Sequence, residues 1–285
     1  MKFVGASLVL SLSAIACSRC PPRSLPLTVT PATSAATSVE SELEPYLPNG
    51  CMHGPHDVRS WKRVDPSSVP TVQHFALNYS PCTWSLALLD GVPLATQHHD
   101  LPAELPPTFH AITNRGSPRM VGQARSGLLV GYNHGEWGGA LLWCSEDGSV
   151  RRELLDDNIV EIVPTTEGFI VLAGLTHLGG DRGRVVELVD EGTGFHVGRM
   201  TELGGAPRAA AMEPSGATLV ATTRGLVRLT PEFHVHRLID TDWGMLYPVS
   251  IVVDGSATVY VGMRGIVAEL KMNTDPPAEA WLFPI

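Results

Sequence analysis

An all-β fold built of repeated strand pairs is what this sequence predicts, on two observations. The 28 Gly and 23 Pro are spread between short runs of Val, Leu, Ile and Thr, a pattern of strands and turns rather than of helices. Strand-like runs also recur in pairs: residues 127–132, 168–172, 216–222 and 257–262 are followed by 139–143, 183–188, 225–229 and 265–270. Taking Leu129, Ile170, Leu219 and Val259 as equivalent gives steps of about 41, 49 and 40 residues, the period of four-stranded propeller blades.

From the start of the chain, Lys2 precedes an apolar stretch ending at Ala16, too short to span a bilayer as a helix of about 20 residues. It reads as a signal peptide over residues 1–16. Ala14-Ile15-Ala16-Cys17 resembles the bacterial lipobox, which implies a lipid on Cys17; Ala14 stands where that motif usually has leucine. Cleavage by the ordinary signal peptidase, leaving Cys17 a plain thiol, is the opposing reading. Ser18 after the cysteine, by the same resemblance, implies sorting to an outer membrane. Residues 17–50 are rich in Pro, Ser, Thr and Ala without a periodic apolar face and read as a flexible tether with a reach of about 30 Å. With Cys17 set aside, Cys20, Cys51, Cys82 and Cys144 permit three pairings. Cys51 with Cys82 is favoured because both flank the start of the folded region, although spacing alone does not decide it.

The folded part, residues 51–285, divides into an irregular stretch over 51–115 and four clearer repeats over 116–285. Residues 84–96 read as a hairpin turned at Asp90-Gly91 and count as a fifth, irregular blade. The prediction is therefore a β-propeller of about five four-stranded blades. A four-blade core with an extension, a six-blade ring and a two-sheet sandwich stand as the other architectures. The phrase from Gly216 to Leu229 and its counterpart at Arg264-Gly265-Ile266-Val267 resemble repeats of sensor-type and quinoprotein-like bacterial propellers, over about 170 residues. The likeness is one of fold, since such repeats recur with unrelated functions.

That resemblance implies that the connections from second to third strand, and those between blades, share one face on which ligands bind. Two second-to-third connections are minimal turns at Arg224-Gly225 and Arg264-Gly265. The other two are long, and the first carries Asn133, His134, Glu136 and Trp137. Glycines there let backbone approach a ligand, Trp137 offers an aromatic platform, and His134 with Glu136 supplies donors and acceptors. A well-turned surface loop with a partly packed tryptophan explains the same residues. Arg182, Arg224 and Arg264 each precede a glycine and would line one rim for a carboxylate or phosphate, unless arginine simply suits an exposed turn. Between blades, Trp243 and Tyr247 join the set; tryptophans at such junctions also serve as packing residues.

The formal charge of −9 and the lack of a Lys/Arg cluster argue against a nucleic-acid partner. His53, His56 and Asp57, and His98-His99-Asp100, are metal-capable but match no zinc spacing, so no metal or cofactor is implied. Residues 145–149 resemble the Asp-box turn of some propellers without its tryptophan and are read as a hairpin turn. No nucleophile elbow, phosphate loop or paired-cysteine motif is present. Two classes follow: a lipid-anchored envelope protein that binds a ligand or partner such as a glycan or peptide, or a lactonase-like hydrolase using a divalent cation. The second would draw on Glu136, Asp156, Asp157, Asn158, Asp240 and Asp242, whose spacing shows no convergence. The address is testable: Cys17→Ala is expected to move the protein out of the membrane fraction, with fatty-acid label entering the wild type alone. A variant that stays membrane-bound, with an unlabelled wild type, overturns the lipobox reading.

Overall fold

The computed structural model describes residues 51–52, 54–69, 77, 80–100, 103, 118–145 and 150–284. Residues 1–50, with the predicted leader, tether, Cys17 and Cys20, lie outside the described residues, as do His53 and residues 146–149 of the Asp-box-like turn. Three sheets run in simple order from inner to outer strand. They are β5 (Met120–Ala124), β6 (Gly127–Asn133), β7 (Gly139–Ser145) and β8 (Arg151–Leu155); β9 (Ile159–Pro164), β10 (Gly168–His177), β11 (Gly180–Asp190) and β12 (Phe195–Glu202); and β13 (Pro207–Met212), β14 (Thr218–Thr222), β15 (Gly225–Leu229) and β16 (Val235–Arg237). A fourth sheet holds β17 (Ser250–Val253), β18 (Thr258–Gly262), β19 (Val267–Lys271) and β20 (Ala278–Phe283), and takes β2 (Lys62–Val64) on its outer edge. The fifth has three strands in the order β3 (Trp84–Leu89), β4 (Val92–Gln97) and β1 (His56–Asp57). The predicted all-β propeller of about five blades is this arrangement, with the irregular blade first in the chain.

The sheets stack face to face around an axis lined by their inner strands, β5 packing on β9, β9 on β13, β13 on β17 and β17 on β3. Strand side chains alternate between faces, so each sheet offers one apolar row to the sheet before it and one to the sheet after. Leu129, Leu141 and Trp143 meet Phe169, Val171 and Val186 in one such layer. Leu172 and Val185 meet Val220 and Val227 in the next. Leu219 and Leu226 then meet Val259, Val261 and Trp281. This corrects one expected equivalence: Leu219 and Val259 face each other across a layer, so they are not matching positions. With a period of two, a one-residue slip in the alignment moves a side chain to the opposite face.

Where the chain leaves an outer strand for the next inner strand it passes directly over the start of a third strand. A Cβ at Gly139, Gly183 or Gly225 would run into the carbonyls of Asp157, Gly205 and Ile239 respectively, and Gly225 also has φ +97°. Glycine is required there by close backbone approach. The hairpin expected at Asp90-Gly91 is present, with φ of 51° and 75° at the two positions, as a type I′ turn demands.

Residues 56–64 join the first and last sheets in chain order, β1 pairing with β4 and β2 with β20. A disulfide between Cys51 and Cys82 lies beside them, the pairing favoured above, while Cys144 is buried outside it. Trp61 and Trp84 pack edge to face, with centroids 5.2 Å apart, against Tyr260, Val267 and Leu282 of the fourth sheet. Ser250 Oγ donates to the Trp84 carbonyl at 3.1 Å and accepts from the Leu86 N–H at 3.0 Å, so one hydroxyl joins β17 to β3.

An innermost strand has no neighbour on its axial side, and its outward N–H groups need other acceptors. In β13 the Ala210 N–H donates to Glu161 Oε2 of β9 at 2.6 Å. Some of the Glu161 surface is reachable by solvent, yet its carboxyl sits deep between the inner strands. Burial pushes it up to about 7, against the opposing pull of the Ala210 N–H. A carboxyl raised in the folded state adds stability that is complete below its unfolded value, 4.5, and lost as pH climbs through about 7. Wild type is therefore expected to lose up to about 3 kcal/mol between about pH 4.5 and 7 from this group, and Glu161→Gln to lack that part of the slope. Urea unfolding across this range checks it; identical pH dependence in the two proteins would show that the carboxyl is not enclosed.

Candidate functional site

The inner strands start at one end of the axis, and there the five sheets bound a funnel of about 850 Å³. Met120, Ile159, Pro207 and Val249 line it from the strand starts, with His98 and Asp100 beyond the end of β4. Val160, Leu175 and Pro248 add apolar wall; Asn133, His134, Thr176, Arg119 and Arg208 add polar groups. A concave, mostly apolar site with a few converging polar groups is the usual form of a small-molecule pocket. The chain carries −9, yet this lining has two arginines and one aspartate, so the local balance is opposite to the whole.

The long β6–β7 connection stands at this end, as expected. Asn133 Oδ1 accepts from the Gly135 N–H at 3.1 Å, and Asn158 Oδ1 accepts from the His134 N–H at 3.2 Å, which fixes the turn into the funnel wall. His134 Nε2 is buried with no hydrogen-bond partner. Glu136 lies 2.7 Å from His177 Nε2 and so joins the β6–β7 and β10–β11 loops. On those joined loops Trp137 is 84% exposed and Leu178 is 92% exposed. Tyr247, in the left-handed region with φ 48°, is partly exposed nearby, with the Arg264 guanidinium 4.0 Å and that of Arg208 5.5 Å from its ring centre.

Other expected site residues are built into the fold instead. Trp243 is fully buried in the layer between the third and fourth sheets, and its Nε1 donates to Glu279 Oε1 at 3.2 Å. That carboxylate also accepts from Trp281 Nε1 at 2.9 Å, so Trp243 is a packing residue and presents nothing to a ligand. The expected rim of three arginines is likewise divided. Arg182 pairs with the buried Asp157 at 2.8 Å, a carboxylate shared with Arg184 at 2.8 Å. Arg224 is exposed and points its methylenes along Gly205, while Arg264 lies over Tyr247. The carboxylates weighed for cation chemistry are dispersed in the same way: Asp242 caps the Gly244 N–H, Asp240 lies 3.7 Å from Arg237, and Asp157 holds arginines. Among the described residues no three His, Cys, Asp or Glu side chains come together as a metal site.

Arg119 and Arg208 were not singled out from the sequence. Each follows a proline at the start of an inner strand, and that shared Pro-Arg step at 118–119 and 207–208 was a readable signal. His98 and Asp100 stand at the funnel as a pair, with Nε2 3.4 Å from Asp100 Oδ1, while Ser85 Oγ lies 2.7 Å from His98 Nδ1. Arg119 reaches the same carboxylate at 4.0 Å. None of the described residues forms a helix long and apolar enough to cross a membrane.

No family model and no curated protein matches the chain. Among solved structures it is similar to a streptogramin B lyase at 14% identity and a TM-score of 0.38, over 59% of this chain and 54% of that one. It is similar to virginiamycin B lyase from Staphylococcus aureus at 12% identity and 0.42, over 79% and 74%, and to a gluconolactonase from Xanthomonas campestris at 11% and 0.36, over 67% and 62%. The chain thus spans just over half the length of the streptogramin B lyase it matches. These are likenesses of backbone arrangement at low identity, and nothing of those proteins' chemistry is taken from them. By the arrangement of its own five sheets the chain is an all-β protein of the propeller type, with an axial funnel at the end where its inner strands begin.

Proposed function

We propose that this chain is a ligand-binding propeller, held at the cell envelope by a lipid on Cys17, that takes its ligand into the axial funnel. The observation that carries the reading is the funnel itself: five sheets contribute to one concave site whose polar groups are not all consumed by the fold, as His134 Nε2 and Arg208 show. The exposed Trp137 and Leu178 stand on joined loops at the same end and extend the site outward as an apolar rim. Exposed aromatic groups of this kind dominate binding once desolvated. Of the residues first expected to bind, Asn133, His134, Trp137, Tyr247 and Arg264 remain in this reading, with Glu136 as the clamp between the two loops. Arg182, Arg224 and Trp243 leave it.

The purified protein, labelled and applied to glycan and short-peptide arrays, tests this. Trp137→Ala is expected to weaken array binding by about 1–3 kcal/mol while changing unfolding stability by no more than about 0.5 kcal/mol. Trp243→Ala should instead cost about 3–5 kcal/mol of stability through the cavity it leaves. Thr176→Trp, which places an indole in the funnel, should abolish binding in a folded protein. Array binding that survives the filled funnel and the loss of Trp137 would remove this end of the molecule from consideration.

A further inference from the structure

Several of the described arginines are matched to carboxylates. Arg59, Arg63, Arg182, Arg199 and Arg228 each meet an Asp or Glu. Arg208 does not: among the described residues no carboxylate lies within ion-pair distance of it, although it lines the funnel and is only partly exposed. Its Nε is buried without a hydrogen-bond partner. Of the two groups that favour its charge, Tyr247 and then Asp181, the carboxylate is already engaged, accepting from Thr223 Oγ1 at 2.7 Å and from the Ala206 N–H at 2.8 Å. Burial therefore works against the Arg208 charge with little to offset it. A second guanidinium, Arg264, shares the Tyr247 ring with it, so two like charges are held near one another. A desolvated cation on a concave wall, with its fork of donors incompletely used, is matched by an anion arriving from outside.

The surroundings narrow the kind of anion. Val160, Leu175 and Val249 give the funnel apolar walls, which favour an organic body over a bare inorganic ion. Asp100 and Asp181 stand at or near the lining, so a dianion would meet repulsion that a single negative charge meets less. His134 Nε2, buried and unpartnered on another part of the wall, is available to a polar group elsewhere on the ligand. We propose that Arg208 is the anion-recognition residue of the funnel and that the ligand is a small organic monocarboxylate, its carboxylate on the guanidinium and its apolar body against the inner-strand walls. This rests on the funnel being the binding site.

The test uses the full chain and defined probes in calorimetric titration: 3-phenylpropionate, acetate, 3-phenylpropionamide and phenyl phosphate. The acid is expected to bind at least about tenfold more tightly than its neutral amide and than acetate, the first difference reporting the charge and the second the apolar wall. Arg208→Gln should lose about tenfold or more for the acid and little for the amide, while Arg208→Lys should recover part of the loss by keeping the charge without the fork. Circular dichroism and unfolding midpoints establish that the variants are folded; were Arg208→Gln not to fold, the comparison of acid with amide on wild type still decides. Equal binding of acid and amide, tighter binding of phenyl phosphate, unchanged acid affinity in folded Arg208→Gln, or no binding of any probe up to about 10 mM each overturns the proposal. Thr176→Trp separates the two readings. If it abolishes array binding while the acid shows no dependence on Arg208, the funnel stands and the monocarboxylate falls; if it leaves the array binding intact, the funnel itself fails.

Discussion

Strand β2 laid on the edge of β20, with β1 laid on β4 a few residues earlier, is the contact on which the rest of the molecule depends. Neighbouring sheets of the stack bury apolar faces on one another, so a fourth and a fifth sheet that parted would leave apolar faces in water. The short segment 56–64 spans that junction, and Trp61, Trp84, Tyr260 and Leu282 form the layer it seals. The funnel follows from the same constraint. It lies where the inner strands begin, and its walls are what the chain supplies there at residues such as Arg119, Ile159, Arg208 and Val249.

Carboxylates do a second kind of joining, from the buried Asp157 to the part-buried Glu279 and the exposed Asp181. Asp157 holds Arg182 and Arg184, Asp181 takes Thr223 and the Ala206 N–H, and Glu279 takes two indoles. Asp157 lies where the chain crosses from β8 to β9, while Asp181 on β11 and Glu279 on β20 reach donors of the β12–β13 and β16–β17 connections, Ala206 and Trp243. A group of this type is costly to leave unmatched and is therefore strongly constrained. Several polar residues that look chemically able in the linear sequence are for that reason already occupied, and Arg208 is informative because it is not.

Much of the architecture was legible because it rests on local rules. Spacing of the strand pairs, the Asp90-Gly91 hairpin and the glycines under the crossovers are each decided within a few residues. The site was legible only in part. Trp137, on a loop between two strands of one sheet, stands out in solvent, whereas Trp243, on the connection from one sheet to the next, is enclosed between them with its indole on Glu279. Val259 was misaligned by one place since an apolar run buried on both faces carries no alternation to mark its register. The Pro-Arg step repeated at 118–119 and 207–208 could have placed Arg208 at the site, but what sets it apart there is the partner its Nε lacks, and a missing partner has no signature along the chain.

The bridge between Cys51 and Cys82 has a mechanical side. Tension applied to the chain from its N-terminal direction enters the described structure at Cys51, immediately before the segment that seals the junction. Without the bridge that load would pass straight into β1 and β2, two strands of two and three residues, and could peel them hydrogen bond by hydrogen bond. With it, the load is carried covalently to Cys82, next to β3, an inner strand buttressed by β17. The seal is thereby kept off the load path, so that a protein held by its leading end can be pulled without being unzipped from that end.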